Sequence, residues 1–340
     1  MEADLMLAAR RLPEAVMLFC ASEEAGASPD LCASGRWIAF MLLGEYEDAW
    51  QESDSIRSRA LPDPHRFWHG ENLVGQRVIV RCLHGYGDAV QFLRYSAMLK
   101  AIASELIVEV PPRFVELARC FDGIDHVITW GENAPAQPHL WDVQLEVMEL
   151  PYIFRTQVAD LPLYKNYLHV PPALLSEGRQ QAPLTVGLAW NSGSWNPARS
   201  ISLDILRPLL SVVGCEFWSL CEDPQSLIVL HPTGMLLKEH SDCRNSIEGL
   251  AATIAALDLV ITVDTLAAHL GGALGIKTWV LLPYVSDWRW MHERSDSPWY
   301  PSIQLFRQPA PGSWAPVISS VHRELQTLTR NKRGNQVIES

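Results

Sequence analysis

The chain has no Cys-x-x-Cys pair, no His-Glu-x-x-His, and nowhere two aspartates separated by a single residue. The first two absences exclude the common zinc layouts. The third removes the carboxylate pair on which a divalent ion is often held, so no metal is expected. No apolar run reaches 18 residues, because Asp258, Asp264, His269 and Lys277 interrupt the most apolar stretch; no membrane-spanning helix is expected. The opening Met-Glu-Ala-Asp lacks the basic-then-apolar layout of a secretory leader. Positive charge is scarce: 27 basic residues face 39 acidic ones, with no basic stripe. That argues against a nucleic-acid partner, and any phosphate-bearing ligand must be held by local devices. The seven cysteines are odd in number, which fits reduced, mostly buried thiols in a cytoplasmic protein better than a disulfide framework.

What is present is enough apolar residue, 48%, for sizeable cores, in a length of 340 that predicts two domains plus an extra element. Residues 1–60 read as all-helical, within an N-terminal segment over 1–64. Leu5, Ala9, Leu12, Val16 and Phe19 fall on one helical stripe, Gly26 to Asp30 is a break, and helices follow over Trp37–Leu43 and on to about Ala60. The Leu43-Gly-Glu-Tyr-Glu-Asp-Ala49 pattern resembles one tetratricopeptide unit, in which Gly and Ala let two helices close and the aromatic fills the gap. Such a unit cannot bury its own face and should pack on the next domain. Leu61-Pro-Asp-Pro-His65 is a linker.

Strands are predicted at Arg77–Arg81, Leu106–Val110, His126–Thr129 and Trp141–Leu145, with helices over Ala89–Ile102, Arg113–Cys120 and near Leu150. This alternation is a doubly wound α/β domain over 65–172. A Pro-flanked linker, Pro171 to Pro183, precedes a second such domain over 180–312. Its strands are Thr185–Trp190, Cys215–Leu220, Val260–Val263 and Thr278–Leu282, its helices Ser202–Leu210 and Ile247–Leu257. A terminal helix is expected over Trp314–Leu328, within 313–330, with a frayed tail beyond.

Three turns carry the candidate chemistry. Val260-Ile-Thr-Val-Asp-Thr-Leu-Ala-Ala-His269 reads as a buried strand, a turn with Asp264 and Thr265, and a short helix ending near Gly275, closely packed through Ala267, Ala268, Gly271 and Gly272. It sits at the carboxyl end of a strand, where α/β sheets bind ligands, and free N–H groups face the same place. Asp264 either caps the helix or meets a ligand hydroxyl, while Thr265 offers N–H and OH. Gly85-Tyr-Gly-Asp88 also joins a strand to a helix. Its glycines permit positive φ and close backbone approach. It is not a dinucleotide fingerprint. Asp88 is an N-cap or a carboxylate able to take a proton, with His84 the alternative base. The loop Asn191-Ser-Gly-Ser-Trp-Asn-Pro-Ala-Arg-Ser200 offers Ser192, Ser194 and Arg199 for a diphosphate. Ser219 and Leu220 join the donor-binding positions, and Gly85, Gly87, Gln91, Trp288 and Arg289 the cleft loops; Trp288 and Arg289 serve either a ligand or domain packing.

In combination, Gly85-Tyr-Gly-Asp-Ala-Val-Gln-Phe-Leu-Arg-Tyr95, Ala256 through His269, and Asp287-Trp-Arg-Trp290 through Asp296-Ser-Pro-Trp-Tyr-Pro301 resemble bacterial tetratricopeptide-repeat proteins with a family 9-like, heptosyltransferase-related glycosyltransferase domain. The resemblance implies a GT-B fold: two Rossmann-like domains facing a cleft, behind a short helical segment. It implies inverting, metal-independent, cofactor-free transfer of a hexosyl or heptosyl unit from a nucleotide-diphosphate sugar to a glycan or protein. Asp88 then matches the base, Asp264, Thr265 and His269 the donor turn, and Arg199 a basic phosphate contact. A protein partner through the N-terminal helices is a further expectation. The alternatives are a non-catalytic binding protein, and a sugar-nucleotide epimerase or hydrolase on the same fold.

Overall fold

The computed structural model describes residues 2–59, 67–130, 141–163, 167–171, 183–193, 196–221, 238–239 and 246–338. The linker expected at 61–65, most of that at 171–183, and Ser194 lie outside the described residues.

The chain opens on α1 (Glu2–Ala8), α2 (Leu12–Glu24), α3 (Pro29–Leu43) and α4 (Tyr46–Ser58). The predicted stripe from Leu5 to Phe19 is not one helix. Pro13 lies in the first turn of α2, where its missing N–H costs nothing; in a helix running through 5–19 it would sit in the interior and break it. The chain instead turns at Arg10, with φ 61. Leu5 is left 66% exposed, and Ala3, Ala15, Phe19 and Cys32 make the local core. Gly44 ends α3 at φ 82, with its own N–H on the Met41 carbonyl and that of Glu45 on the Phe40 carbonyl. Tyr46 and Ala49 of the predicted repeat pattern are buried.

Two compact units divide the chain: Met1–Tyr164 with Val285–Trp299, and Lys165–Tyr284 with Tyr300–Ser340. In the first, β1 (Arg77–Arg81), α5 (Tyr86–Phe92), α6 (Ser96–Ile102), β2 (Glu105–Val110), α7 (Val115–Ala118), β3 (His126–Thr129), β4 (Val143–Glu146) and α8 (Leu150–Ile153) follow in order. The strands form a parallel sheet in the order β3-β2-β1-β4. The single helix expected over Ala89–Ile102 is divided by a 3-10 turn at Leu93–Tyr95. There the buried Arg94 donates from Nε to the Gln91 carbonyl and from Nη1 to that of Trp299.

The second unit holds β5 (Leu184–Ala189), α9 (Leu203–Leu210), β6 (Cys215–Ser219), β7 (Lys238–Glu239), α10 (Ile247–Ala255), β8 (Leu259–Val263), α11 (Leu266–Ala273), β9 (Thr278–Leu282), β10 (Ile303–Arg307) and α12 (Ala315–Ile338). Its parallel sheet runs β10-β9-β8-β5-β6-β7. Counted from β5, that is the 3-2-1-4-5-6 order of a Rossmann sheet. Strands β5, β8 and β9 are buried at every position, as parallel strands covered on both faces must be. Val186, Leu188, Ile261, Val263 and Leu281 pack with Leu206, Leu209, Val321 and Leu325 in one core. The terminal helix continues to Ile338, ten residues past its expected end. No described helix is long and apolar enough to cross a membrane.

Candidate functional site

In each sheet the first strand lies between a neighbour that precedes and one that follows the reversal of strand order: β1 between β2 and β4, β5 between β6 and β8. The loops leaving the carboxyl ends of such a strand pair diverge and open a crevice. Every predicted turn lies at one of these two points.

In the first unit, β1 leads through His84 into α5. Gly85 is the N-cap of α5, with φ −70, and Gly87 is helical, so neither glycine takes the positive φ expected of it. Close approach explains Gly85 instead: a Cβ there would lie 3.3 Å from Asp88 Oδ2. Asp88 is the third residue of the helix rather than its N-cap, and its Oδ2 accepts the Gly85 N–H at 3.0 Å. Its Oδ1 accepts from Nη2 of Arg289 at 2.7 Å. Gln91 is wholly buried on α5 rather than on a loop, and its side-chain oxygen and nitrogen have no hydrogen-bond partner. Across the switch point, Glu146 ends β4 with its side chain 1% exposed. Its Oε2 accepts the Met148 N–H at 2.6 Å, and its Oε1 lies 3.8 Å from His84 Nε2, too far for a hydrogen bond. Burial, with the charges of Glu149 and Asp88 nearby, outweighs the backbone N–H donors and pushes this carboxyl up to about 8. A carboxyl that is largely protonated at neutral pH thus lies close to the turn that carries Asp88.

In the second unit, the loop after β5 returns to the sheet where the Ile201 N–H meets the Trp190 carbonyl. Ser192 is held there by Ser200: the Ser192 N–H donates to Ser200 Oγ at 2.9 Å, and the two hydroxyls are 2.9 Å apart. Asn191 is exposed. Arg199 ends a 3-10 turn, and its Nη1 donates to Asp264 Oδ2 at 3.3 Å. Thr265, not Asp264, is the N-cap of α11, and its hydroxyl makes no capping bond. Asp264, 3% exposed, accepts from Arg199 at Oδ2, while its Oδ1 lies 4.0 Å from His269 Nε2, beyond hydrogen-bond range. Tyr300 meets the other ring nitrogen, Oη to Nδ1 at 3.0 Å. Arg199, Asp264, His269 and Tyr300 therefore form one nearly dry polar cluster that begins at the switch point, next to the N-terminus of α11. Ser219 accepts the Cys221 N–H, and the Leu220 N–H is taken by the Leu188 carbonyl while its side chain is buried. Gly271 and Gly272 do the close packing expected of them: a Cβ would lie 2.2 Å from Thr278 Oγ1 and 2.3 Å from the Tyr300 ring.

Arg289 and Trp288 engage the first unit. The Arg289 guanidinium lies over the rings of Trp288 and Phe92, 4.6 and 5.3 Å from their centroids. Trp288 stacks on Phe92 and meets Trp37 edge-on. Sequence reasoning missed Glu146, Tyr300 and the pairing of Arg289 with Asp88. A glutamate following the buried Leu145 at the carboxyl end of β4 is a signal for the first; the other two are long-range contacts with no local signal. Among the described residues, no group of three His, Cys, Asp or Glu is placed to hold a metal ion.

No protein-family model matches the chain. It is 26% identical to Protein FlbA of Caulobacter vibrioides over 357 residues, covering 92% of this chain but 58% of that relative's length. Two heptosyltransferases are among the solved structures to which the chain is similar. Escherichia coli ADP-heptose LPS heptosyltransferase II aligns with TM-score 0.57 and 14% identity over 76% of this chain and 99% of that one. E. coli heptosyltransferase WaaC with ADP-2-deoxy-2-fluoro heptose aligns with TM-score 0.51 and 14% identity over 74% of this chain and 99% of that one. The fold is GT-B. Two Rossmann-like parallel sheets and a helical N-terminal segment are its parts here.

Proposed function

We propose that this chain is an inverting, metal-independent glycosyltransferase moving a hexosyl or heptosyl unit from a nucleotide-diphosphate sugar to an acceptor hydroxyl of a glycan or protein. The observation that carries the reading is the Arg199–Asp264–His269–Tyr300 cluster at the switch point of the second sheet. Its Arg199 supplies a cation and its Asp264 precedes the N-terminus of α11, and both follow the strands between which a Rossmann sheet takes its ligand, which supports the reading. In an acidic protein this is a local device for a diphosphate. The acceptor hydroxyl loses its proton to Asp88, with His84 the weaker alternative base in the same turn, as its oxygen attacks the anomeric carbon. The bond from that carbon to the diphosphate breaks, and Arg199, Ser192 and the N–H groups beside Thr265 stabilise the leaving charge. One in-line displacement inverts the anomeric configuration. The GT-B fold supports the reaction class, and the two heptosyltransferase neighbours put ADP in the donor panel. The reading includes a cytoplasmic setting, no cofactor, and a tetratricopeptide-like use of α1–α4 to hold a protein partner.

Calorimetry and thermal shift with UDP, GDP, ADP, CMP and their sugar conjugates, in EDTA, test it. A ligand at 100 times its Kd adds about 2.7 kcal/mol to stability. One nucleotide is expected to bind, and Asp88→Asn to abolish transfer while leaving that binding nearly intact. Undiminished turnover in Asp88→Asn overturns the carboxylate's role; partner binding with no nucleotide bound favours a non-catalytic protein, and turnover without acceptor a hydrolase or epimerase.

A further inference from the structure

The carboxylate assigned to proton transfer is held by an arginine from 201 residues along the chain. Arg289 lies on Val285–Trp299, the stretch that leaves the strands of the second unit to pack with the first. Its side chain is 9% exposed. Asp287 orients it twice over, with Oδ1 accepting the Arg289 backbone N–H at 3.0 Å and Nη1 at 2.9 Å. Phe92 and Trp288 fix the plane of the guanidinium from the ring side. Its Nη2 reaches Asp88 Oδ1. The stretch is itself anchored: the His292 N–H donates to the Leu42 carbonyl at 2.8 Å, and Trp290 and Trp299 are buried. Met291 and Glu293 are held at φ 55 and 57, which non-glycine residues adopt at a cost the surrounding packing must meet.

We infer that Arg289 is a positioning residue for the transfer: it fixes the Asp88 carboxylate in one orientation and keeps its charge compensated, so that the lone pairs not used by Arg289 and Gly85 face the acceptor hydroxyl. The inference rests on the proposed transfer. A surface ion pair could slide among rotamers. This one cannot, because Asp88 is tied at both oxygens and Arg289 at its backbone, its fork and its faces. Orientation of a reacting group to within an ångström is worth about 100-fold in rate, and that is the effect assigned here. A guanidinium fork between two carboxylates and two rings also predicts that lysine, a point charge without the fork, replaces it poorly.

The test is steady-state kinetics of full-length Arg289→Ala, Arg289→Lys and Asp287→Asn. Arg289→Ala should lower kcat about 100-fold with donor KM nearly unchanged. Added methylguanidinium should restore part of the lost kcat in Arg289→Ala and none in Arg289→Lys, whose side chain fills the space. Asp287→Asn, which empties no volume, should give a smaller loss of kcat. A rise in KM with kcat unchanged makes Arg289 a substrate contact and overturns the inference, as does failure of methylguanidinium to restore any activity. A wild type that transfers no sugar from any donor sinks the proposed function separately. The Asp88–Arg289 pair is then judged by melting temperatures of Asp88→Asn, Arg289→Gln and the double variant. Non-additive shifts support the clamp and additive shifts overturn it.

Discussion

Glu146→Gln is the sharpest test of the electrostatics at the first switch point. The side chain is 1% exposed, and burial, reinforced by Glu149 and Asp88, pushes its carboxyl from the usual 4.5 up to about 8. A carboxyl raised on folding binds its proton more tightly in the native state than in the unfolded chain. Its contribution to stability is therefore fully present below pH 4.5 and is lost as pH rises through 8. A span of about 3.5 pH units at about 1.4 kcal/mol each amounts to roughly 5 kcal/mol at most. Glutamine is neutral at every pH and keeps an oxygen for the Met148 N–H. The variant should match the wild type to within about 1 kcal/mol at pH 5 and exceed it by a few kcal/mol at pH 9. Because two units need not unfold together, a melting curve alone does not localise this effect to the first sheet. Native-state hydrogen exchange of the β1 and β4 amides at pH 5 to 9 reports the local free energy directly, once corrected for intrinsic exchange. A gap between variant and wild type that stays constant across that range refutes the burial argument.

Two further substitutions probe packing. Arg36 is held between Glu23 and Glu52, Nη1 to Glu23 Oε2 at 2.6 Å and Nη2 to Glu52 Oε2 at 2.9 Å, and these partners raise its pKa still further. Arg36→Ala leaves two carboxylates facing each other on α2 and α4 and should cost about 3–5 kcal/mol; thermal melting should then show partial recovery when Glu23→Gln and Glu52→Gln are added, and no recovery would mean that the lost packing rather than the charge was responsible. Gly272→Ala drives a methyl into the buried Tyr300 ring and should cost about 1–3 kcal/mol. Nucleotide affinity should fall with stability, since Tyr300 is the hydrogen-bond partner of His269 Nδ1; wild-type melting and affinity in this variant would refute the close packing of α11.

Strands were legible wherever a short apolar run was bounded by charge or turn residues. Arg77–Arg81, His126–Thr129 and Thr278–Leu282 were read with their observed limits. The strand Ile303–Arg307 was not, because Gln304 and two flanking loops leave only a five-residue run with no β-branched core beyond Ile303. Helices were harder. The break at Arg10 follows from Pro13, whose consequence was readable but was masked by a regular apolar spacing. The excursion of Val285–Trp299 had no local signal at all. Its tryptophans read equally well as ligand platforms or as anchors, and only their ring contacts with Tyr46, Phe92 and Trp37 decide between these for Trp288 and Trp299. The three chemistry-bearing turns were found because their residue types and their place after a strand are both local. What holds those residues is not.

That difference explains a feature shared by the two units. At each switch point an aspartate is gripped by an arginine that is distant in sequence, 201 residues away for Asp88 and 65 for Asp264. The chain as a whole has a net charge of −12, so its average field does not attract an anion. Charge that is useful to a diphosphate or to an ionised base has to be delivered one arginine at a time to a desolvated position, where an effective dielectric far below that of water makes a single cation count. An unpaired buried arginine is costly, and each aspartate supplies a compensating anion. In the proposed reaction the two pairs then do opposite work. Asp264 must yield Arg199 to the incoming diphosphate, so a modest 3.3 Å contact suits it. Arg289 must keep Asp88 fixed through the turnover, and the 2.7 Å contact, the second carboxylate and the two ring faces suit that.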